Sequence, residues 1–226
     1  SPPLAGARDR PATGSVAGEA TLQLPPDQAV VRLGVQAQAP VAADAQRAAN
    51  EVANAILDAV TGLGVPAAAV QTSRLQLFPV YESRPPGRQE FDEPPRVVAY
   101  RAANNVAVTL DDLEKICPVI DGAIEAGANN IDSVDFRLED DTAARREALS
   151  EAVRDAQAKA ETIAAALATP LGAVTEVVEG GVSAPPIVYR EQAMARMASD
   201  AGTPVAAGTV SVHASVTVRY RLGSEE

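Results

Sequence analysis

Apolar and polar residues alternate without a break from Thr209 to Leu222. Val210, Val212, Ala214, Val216, Val218, Tyr220 and Leu222 share one face, and Ser211, His213, Ser215, Thr217, Arg219 and Arg221 share the other. A period of two predicts a strand with one face on a core and the other facing water or a neighbouring subunit. The same period predicts strands at Val16–Leu24, Gln28–Ala39, Val70–Tyr81, Val97–Thr109, Asn130–Leu138 and Ala173–Glu179. In the first of these Val16, Ala20, Leu22 and Leu24 face inward, and Pro25 and Pro26 end it. Asn104 interrupts the apolar face of Val97–Thr109 and needs a partner if it is buried.

Three segments change to helical spacing. From Val41 to Leu63 the apolar positions are Ala45, Ala48, Val52, Ile56, Val60 and Leu63. A second helix is expected from Asp111 to about Ala126, with Asp111 and Glu114 as a capping box and Leu113, Ile116, Cys117, Ile120 and Ile124 as its stripe. Pro118 inside that window kinks the helix or marks its true start. The longest helix runs from about Thr142 to Ala168, capped by Asp140 or Asp141. Its expected stripe is Leu149, Val153, Ala156, Ala160, Ile163 and Leu167, with Asp155 and Lys159 paired outside.

Strand, helix, glycine, strand occurs twice in succession, over Gln28–Tyr81 and over Val97–Leu138. The predicted fold is therefore α/β (α+β): two tandem strand–helix–strand units plus a long helix, packed on a mixed, largely antiparallel sheet. Prolines break the pattern at about 82–96 and 180–208, which read as two exposed arms. Residues 1–14 read as a flexible N-terminal segment and 15–223 as one domain. The opening is Pro-, Ala- and Arg-rich and starts on Ser1. That suits an exported protein whose signal peptide has been removed, although an arbitrary boundary would look the same.

Composition narrows the partners. Among 226 residues 46% are hydrophobic but only 3% aromatic, so the core is expected to use small side chains with Phe78, Phe136, Tyr100 and Tyr220 as its bulky members. A formal charge of -11 opposes contact with phosphates, which argues against nucleic-acid binding and against docking on anionic lipid. No apolar run approaches the roughly 20 residues that span a bilayer, so membrane insertion is not expected.

Chemistry is sparse. Neither standard glycine-rich phosphate loop is present. Gly181-Val182-Ser183-Ala184-Pro185 lacks the second glycine of a nucleophile elbow. His213, the only histidine, has serines beside it on its strand face, and a metal site would need carboxylate spacing that is not found. No cofactor is expected. Cys117, the only cysteine, cannot form an intramolecular disulfide. It reads as a small core residue, with a peroxide-sensing thiol as the functional alternative. Asp111/Asp112 and Asp140/Asp141 each precede a helix, where carboxylates cap free amides.

The ordered pieces resemble the SIMPL-domain (YggE-like) family. They are Gly64-Val65, Val70-Gln71-Thr72, Tyr100-Arg101-Ala102, Gly127-Ala128-Asn129-Asn130-Ile131 and Val134-Asp135-Phe136. The Ala-rich helix from Glu147 to Ala168, Leu171-Gly172-Ala173-Val174, and the closing run from Thr203 to Tyr220 complete the set. The resemblance spans roughly Val16 to Leu222 and implies an exported α/β protein of the periplasm or cell envelope. It further implies no known catalytic residues, large ring-like or channel-like assemblies and an oxidative-stress connection. The expectation is a non-enzymatic, self-associating module with an unidentified envelope partner. Its candidate interface is Val210, Val212, His213, Ser215, Thr217 and Arg219, together with the two arms. A binding protein for a small molecule or peptide, and a thiol redox protein acting through Cys117, are the alternatives.

Overall fold

The computed structural model describes residues 12–83, 94–189 and 207–223. The strands are β1 (Thr13–Leu24), β2 (Gln28–Ala39), β3 (Val70–Tyr81), β4 (Val97–Leu110), β5 (Asn130–Arg137), β6 (Leu171–Ser183), β7 (Ile187–Tyr189) and β8 (Val210–Leu222). The helices are α1 (Ala42–Gly62), α2 (Ile116–Glu125) and α3 (Thr142–Ala166). The α+β character expected from the pattern is present. The strands divide into two antiparallel sheets, where the sequence reading placed a single mixed one. Contacts gather the chain into two compact units, one of residues 26–139 and 186–208, the other of 1–25, 140–185 and 209–226.

The first unit carries a five-stranded sheet in the order β3-β4-β2-β5-β7. The two strand–helix–strand repeats interleave in it. β2 and β3 flank β4 and so run parallel, joined by α1; β4 and β5 flank β2 in the same way, joined by α2. This is the split βαβ arrangement of ferredoxin-like folds, with β7 added at the far edge. β2 is central and buried on both faces through most of Gln28–Val35, which accounts for its near-continuous apolar run. Ala29, Val31, Leu33, Val106, Val108, Val134 and Phe136 pack there against Ile56, Val60, Ile116, Val119 and Ile120.

Several details differ from the sequence reading. The expected second helix opens as a 3-10 turn at Leu113–Lys115, and Pro118 falls in the first turn of α2, where its missing N–H is harmless. Asp112, not Asp111, caps that turn by accepting from the Glu114 amide at 3.0 Å. The buried face of α2 is Ile116, Val119, Ile120 and Ala123, while Ile124 is exposed and Cys117 half-buried. Gly64 and Gly127 follow α1 and α2 with φ of 80° and 106°, and the Ala128 amide closes the second end on the Ala123 carbonyl at 2.9 Å. Of the four expected bulky core residues Phe136 and Tyr220 are buried. Tyr100 is half-buried, and Phe78 lies exposed on edge strand β3 with Arg101 over its ring.

The second unit is a three-stranded sheet, β1-β8-β6, with α3 on one face. The alternation of β8 is obeyed throughout: Val210, Val212, Ala214, Val216, Val218 and Tyr220 are buried. The stripe of α3 agrees with the expected one at Ala156 and Ala160 only. Its buried residues are Ala144, Ala148, Ala152, Ala156, Ala160 and Ala164, whereas Val153, Ile163 and Leu167 are exposed. Alanine at every fourth position lets the helix lie close on the sheet, and Gly18 of β1 completes the approach. A Cβ at Gly18 would stand 2.0 Å from the Ala152 carbonyl oxygen and 2.7 Å from Ala156 Cβ. The larger apolar groups are displaced to the flanks because the interface has no depth for them. β6 runs on through Gly180 and Gly181 to Ser183, four residues beyond its expected end. The cores of both arms lie outside the described residues, although the Glu82 amide bonds the Arg96 carbonyl at 2.9 Å at the base of the first.

Candidate functional surfaces

The residues singled out on the last strand separate cleanly. Val210 and Val212 are 1% and 0% exposed under α3 and present no surface to a neighbour. His213, Ser215, Thr217 and Arg219 lie on the opposite face of the sheet. β8 is the middle strand, so β1 and β6 already occupy both of its edges. What it offers is its polar face alone.

That face is a lattice of cross-strand hydrogen bonds. Thr21 Oγ1 lies 3.1 Å from His213 Nδ1, the Arg219 Nε–H donates to Ser15 Oγ at 3.1 Å, and a second guanidinium nitrogen pairs with Glu176. Thr209 and Ser211 hydroxyls both donate to Gln23 Oε1, at 2.9 and 3.0 Å. Ser183 stands opposite His213 in register, but the imidazole is held by a hydroxyl rather than a carboxylate. A nucleophile activated by His213 would lack the acid that orients its base. Among the described residues no group of three His, Cys, Asp or Glu side chains gathers in a metal-holding cluster.

The other unit contains a polar cluster that periodicity did not mark. Asn105 is 1% exposed, and its amide reaches across Gly34 of β2 to donate to Asp132 Oδ2 at 2.7 Å. Gly34 is required there, since a Cβ would come within 2.4 Å of both Asn105 Oδ1 and the Asn104 carbonyl. Asn130 donates to the other oxygen of Asp132 at 2.8 Å. Asn129 acts as a piece of strand: its amide group donates to the Gln36 carbonyl at 2.9 Å and accepts from the Gln36 amide at 2.8 Å. Asn104 Nδ2 donates to Asn50 Oδ1 of α1 at 3.2 Å, while the buried Oδ1 atoms of Asn104 and Asn105 accept no hydrogen bond among the described residues. The Asn-Asn pairs at 104–105 and 129–130 were the available signal, because an asparagine buried in a strand has to find hydrogen-bond partners.

The carboxylate pairs serve local structure. The Asp140 carboxylate accepts the Thr142 amide at 2.9 Å, and its pKa is lowered first by hydrogen bonds from Thr142. Asp141 pairs with Arg145 at 2.6 Å, a contact that lowers the carboxyl pKa and raises the guanidinium's. Asp111 accepts from Gln28 Nε2 at 2.7 Å, and Gln28 Oε1 accepts from Arg137 at 2.6 Å, so one amide bridges opposite charges.

The exposed apolar surface of the first unit is concentrated on the β3–β4 hairpin. Leu75, Leu77, Phe78, Tyr81, Val97 and Val98 are all 40–61% exposed. No described helix is long and apolar enough to cross a membrane.

Two antiparallel sheets, one packed with α1 and α2 and pinned by side-chain amides, the other packed with α3, define an α+β protein with a ferredoxin-like unit and a second, alanine-packed unit. The chain belongs to the SIMPL family, described as proteins of unknown function (DUF541), whose model matches residues 15–220. It is 31% identical over 218 residues to the 26 kDa periplasmic immunogenic protein of Brucella melitensis, covering 94% of this chain and 86% of the relative. It is also 29% and 28% identical to the uncharacterized YggE proteins of Edwardsiella ictaluri and Escherichia coli K12. Those alignments cover 71% of this chain and 64% and 62% of the relatives.

Proposed function

We propose that this chain is a non-enzymatic module of the bacterial periplasm or cell envelope that self-associates through the β3–β4 hairpin. The observation that carries this reading is the set of six exposed large apolar residues on one hairpin, spread over both of its faces with Leu75 and Leu77 on one and Phe78 on the other, in a chain with 3% aromatic residues. Exposed apolar side chains concentrated on one element mark interaction sites when they exceed the scatter of an ordinary surface. β3 is also the edge strand of its sheet among the described residues, and an edge is where a second strand can be added. The polar groups that might have served chemistry are engaged in structure: His213 with Thr21, Asn105 with Asp132, and the aspartate pairs with helix starts. The envelope location draws support from the Brucella relative named as periplasmic. The oxidative-stress connection implied by the resemblance is read as a consequence of assembly, not of thiol chemistry at half-buried Cys117.

Light scattering on the full chain tests the proposal. At micromolar concentration the wild type is expected to weigh more than one chain, and Leu77→Ser with Val98→Ser is expected to shift it toward the monomer with an unchanged circular dichroism spectrum. A strictly monomeric wild type would refute it.

A further inference from the structure

β1 is an edge strand of the second unit, yet two of its outward backbone groups, next to each other along that edge, are already taken. The Glu19 amide donates to Asp155 Oδ2 at 2.9 Å, and the Ala17 carbonyl accepts from Lys159 Nζ at 3.1 Å. Asp155 and Lys159 are one turn apart on α3 and bond each other at 2.7 Å. In a parallel ladder a single residue of the incoming strand would engage this same carbonyl and amide, on either side of Gly18. The ion pair thus presents a donor and an acceptor where that residue would place its own.

We propose that Asp155 and Lys159 form an edge guard that closes β1 to strand addition by an extended segment of a second copy of this chain. Three features make the geometry specific. The alanine face of α3 and Gly18 bring the helix axis close enough for side chains of the next row to reach round the strand. The order of charges matches the order of backbone groups, carboxylate to N–H and ammonium to C=O, so the pair fits in one orientation only. Asp155 has its pKa lowered first by the Lys159 bond and then by the Glu19 amide, so the acceptor is ionised at neutral pH. Edge strands are commonly protected by charged side chains that an added strand would have to displace.

The opposite edge is built differently. β6 has three register irregularities against β8 and exposes Val174, Val177 and Val178, with Glu176 and Glu179 between and beside them. Among the described residues its backbone meets α3 through Arg145, which donates to the Val182 carbonyl at 2.7 Å near the strand's end. The guard therefore makes the two edges of this sheet unequal. The proposal concerns a different unit from the hairpin and stands whether or not the hairpin self-associates.

The test is amide hydrogen exchange combined with light scattering on the full chain. Asp155→Ala with Lys159→Ala keeps strong helix formers on an outer row of α3. It is expected to raise exchange at Glu19 by about tenfold, the scale of one hydrogen bond to a charged group. Gly18 and Ala20, whose amides face β8 by alternation, should stay protected. The variant should also form species larger than the wild type at the same concentration. The swapped variant Asp155→Lys with Lys159→Asp keeps net charge and the ion pair but reverses the match to the backbone, and it should behave like the double alanine variant. Unchanged exchange at Glu19, a wild-type-like swap, or faster exchange without larger species would each overturn the guard. So would loss of protection at Gly18 and Ala20 in both variants, because the pair would then hold the strand itself. The hairpin variants Leu77→Ser and Val98→Ser leave Glu19 exchange unchanged, which keeps the two proposals separable.

Discussion

Replacing Gly18 by alanine tests the account of the second unit at its tightest contact. Glycine-to-alanine changes in extended backbone that accommodates them stabilise by about 0.4–1 kcal/mol, chiefly by restricting the unfolded chain. At Gly18 the new methyl would stand 2.0 Å from the Ala152 carbonyl oxygen and 2.7 Å from Ala156 N and Cβ. Two of those three atoms are helix backbone and cannot rotate away, so α3 must shift outward. A gap of about 0.5–1 Å forfeits a quarter to a half of each dispersion contact it opens. The shift opens such a gap along the alanine stripe that covers Val212, Ala214, Val216 and Val218. Overpacking of this kind costs about 1–3 kcal/mol, which outweighs the unfolded-state gain. In urea melts followed by far-UV circular dichroism, the midpoint should fall by about 1 M with the slope preserved, for an m-value of about 1–3 kcal/mol/M. Gly14→Ala is the control, because its Cβ would meet only the Leu222 side chain at 3.5 Å, and it should be neutral or slightly stabilising. A Gly18→Ala protein with a midpoint equal to or above wild type would refute the close-packing argument.

Asn105→Ala removes the amide donor from Asp132 Oδ2 and should destabilise the first unit by about 1–3 kcal/mol. Gly34→Ala should destabilise it as well, and the double variant should stay less stable than Asn105→Ala alone, because the new methyl still meets the Asn104 carbonyl at 2.4 Å; a double variant as stable as Asn105→Ala in urea would contradict this. Asp140, Asp141 and Asp155 all have folded-state pKa values below their usual 3.8. The stability they confer is therefore fully present above the unfolded value and is lost as pH falls through the lowered folded values. Melting temperature should decline on acidification below about pH 4. Asp141→Asn should make that decline shallower, and an identical acid profile would show that the Arg145 pair contributes nothing.

The sequence by itself determined the three helices and seven of the eight described strands, because period depends only on which neighbours face the same way. β7, three residues long, lies where prolines read as an exposed arm and exists only by pairing with β5. The bounds Gln28–Ala39 and Val70–Tyr81 were legible to the residue, and so was the inward face of the last strand. The tandem repeat was legible too, but not that its halves interleave, since strand order is set by pairing between segments distant in the chain. On α3 the apolar period picks out Leu149, Val153, Ile163 and Leu167 along with Ala156 and Ala160, while the fold buries six alanines. Hydrophobicity ranks side chains by size, and the depth of an interface is a property of two surfaces together. The polar cluster was half visible as paired asparagines; the reach of Asn105 across Gly34 exists only once β4, β2 and β5 lie side by side. Asp155 and Lys159 were legible as an i,i+4 pair on an outer helix face. That they meet the free edge of a strand more than 130 residues earlier in the chain was decided by the tertiary structure alone, because only packing brings the helix to that edge.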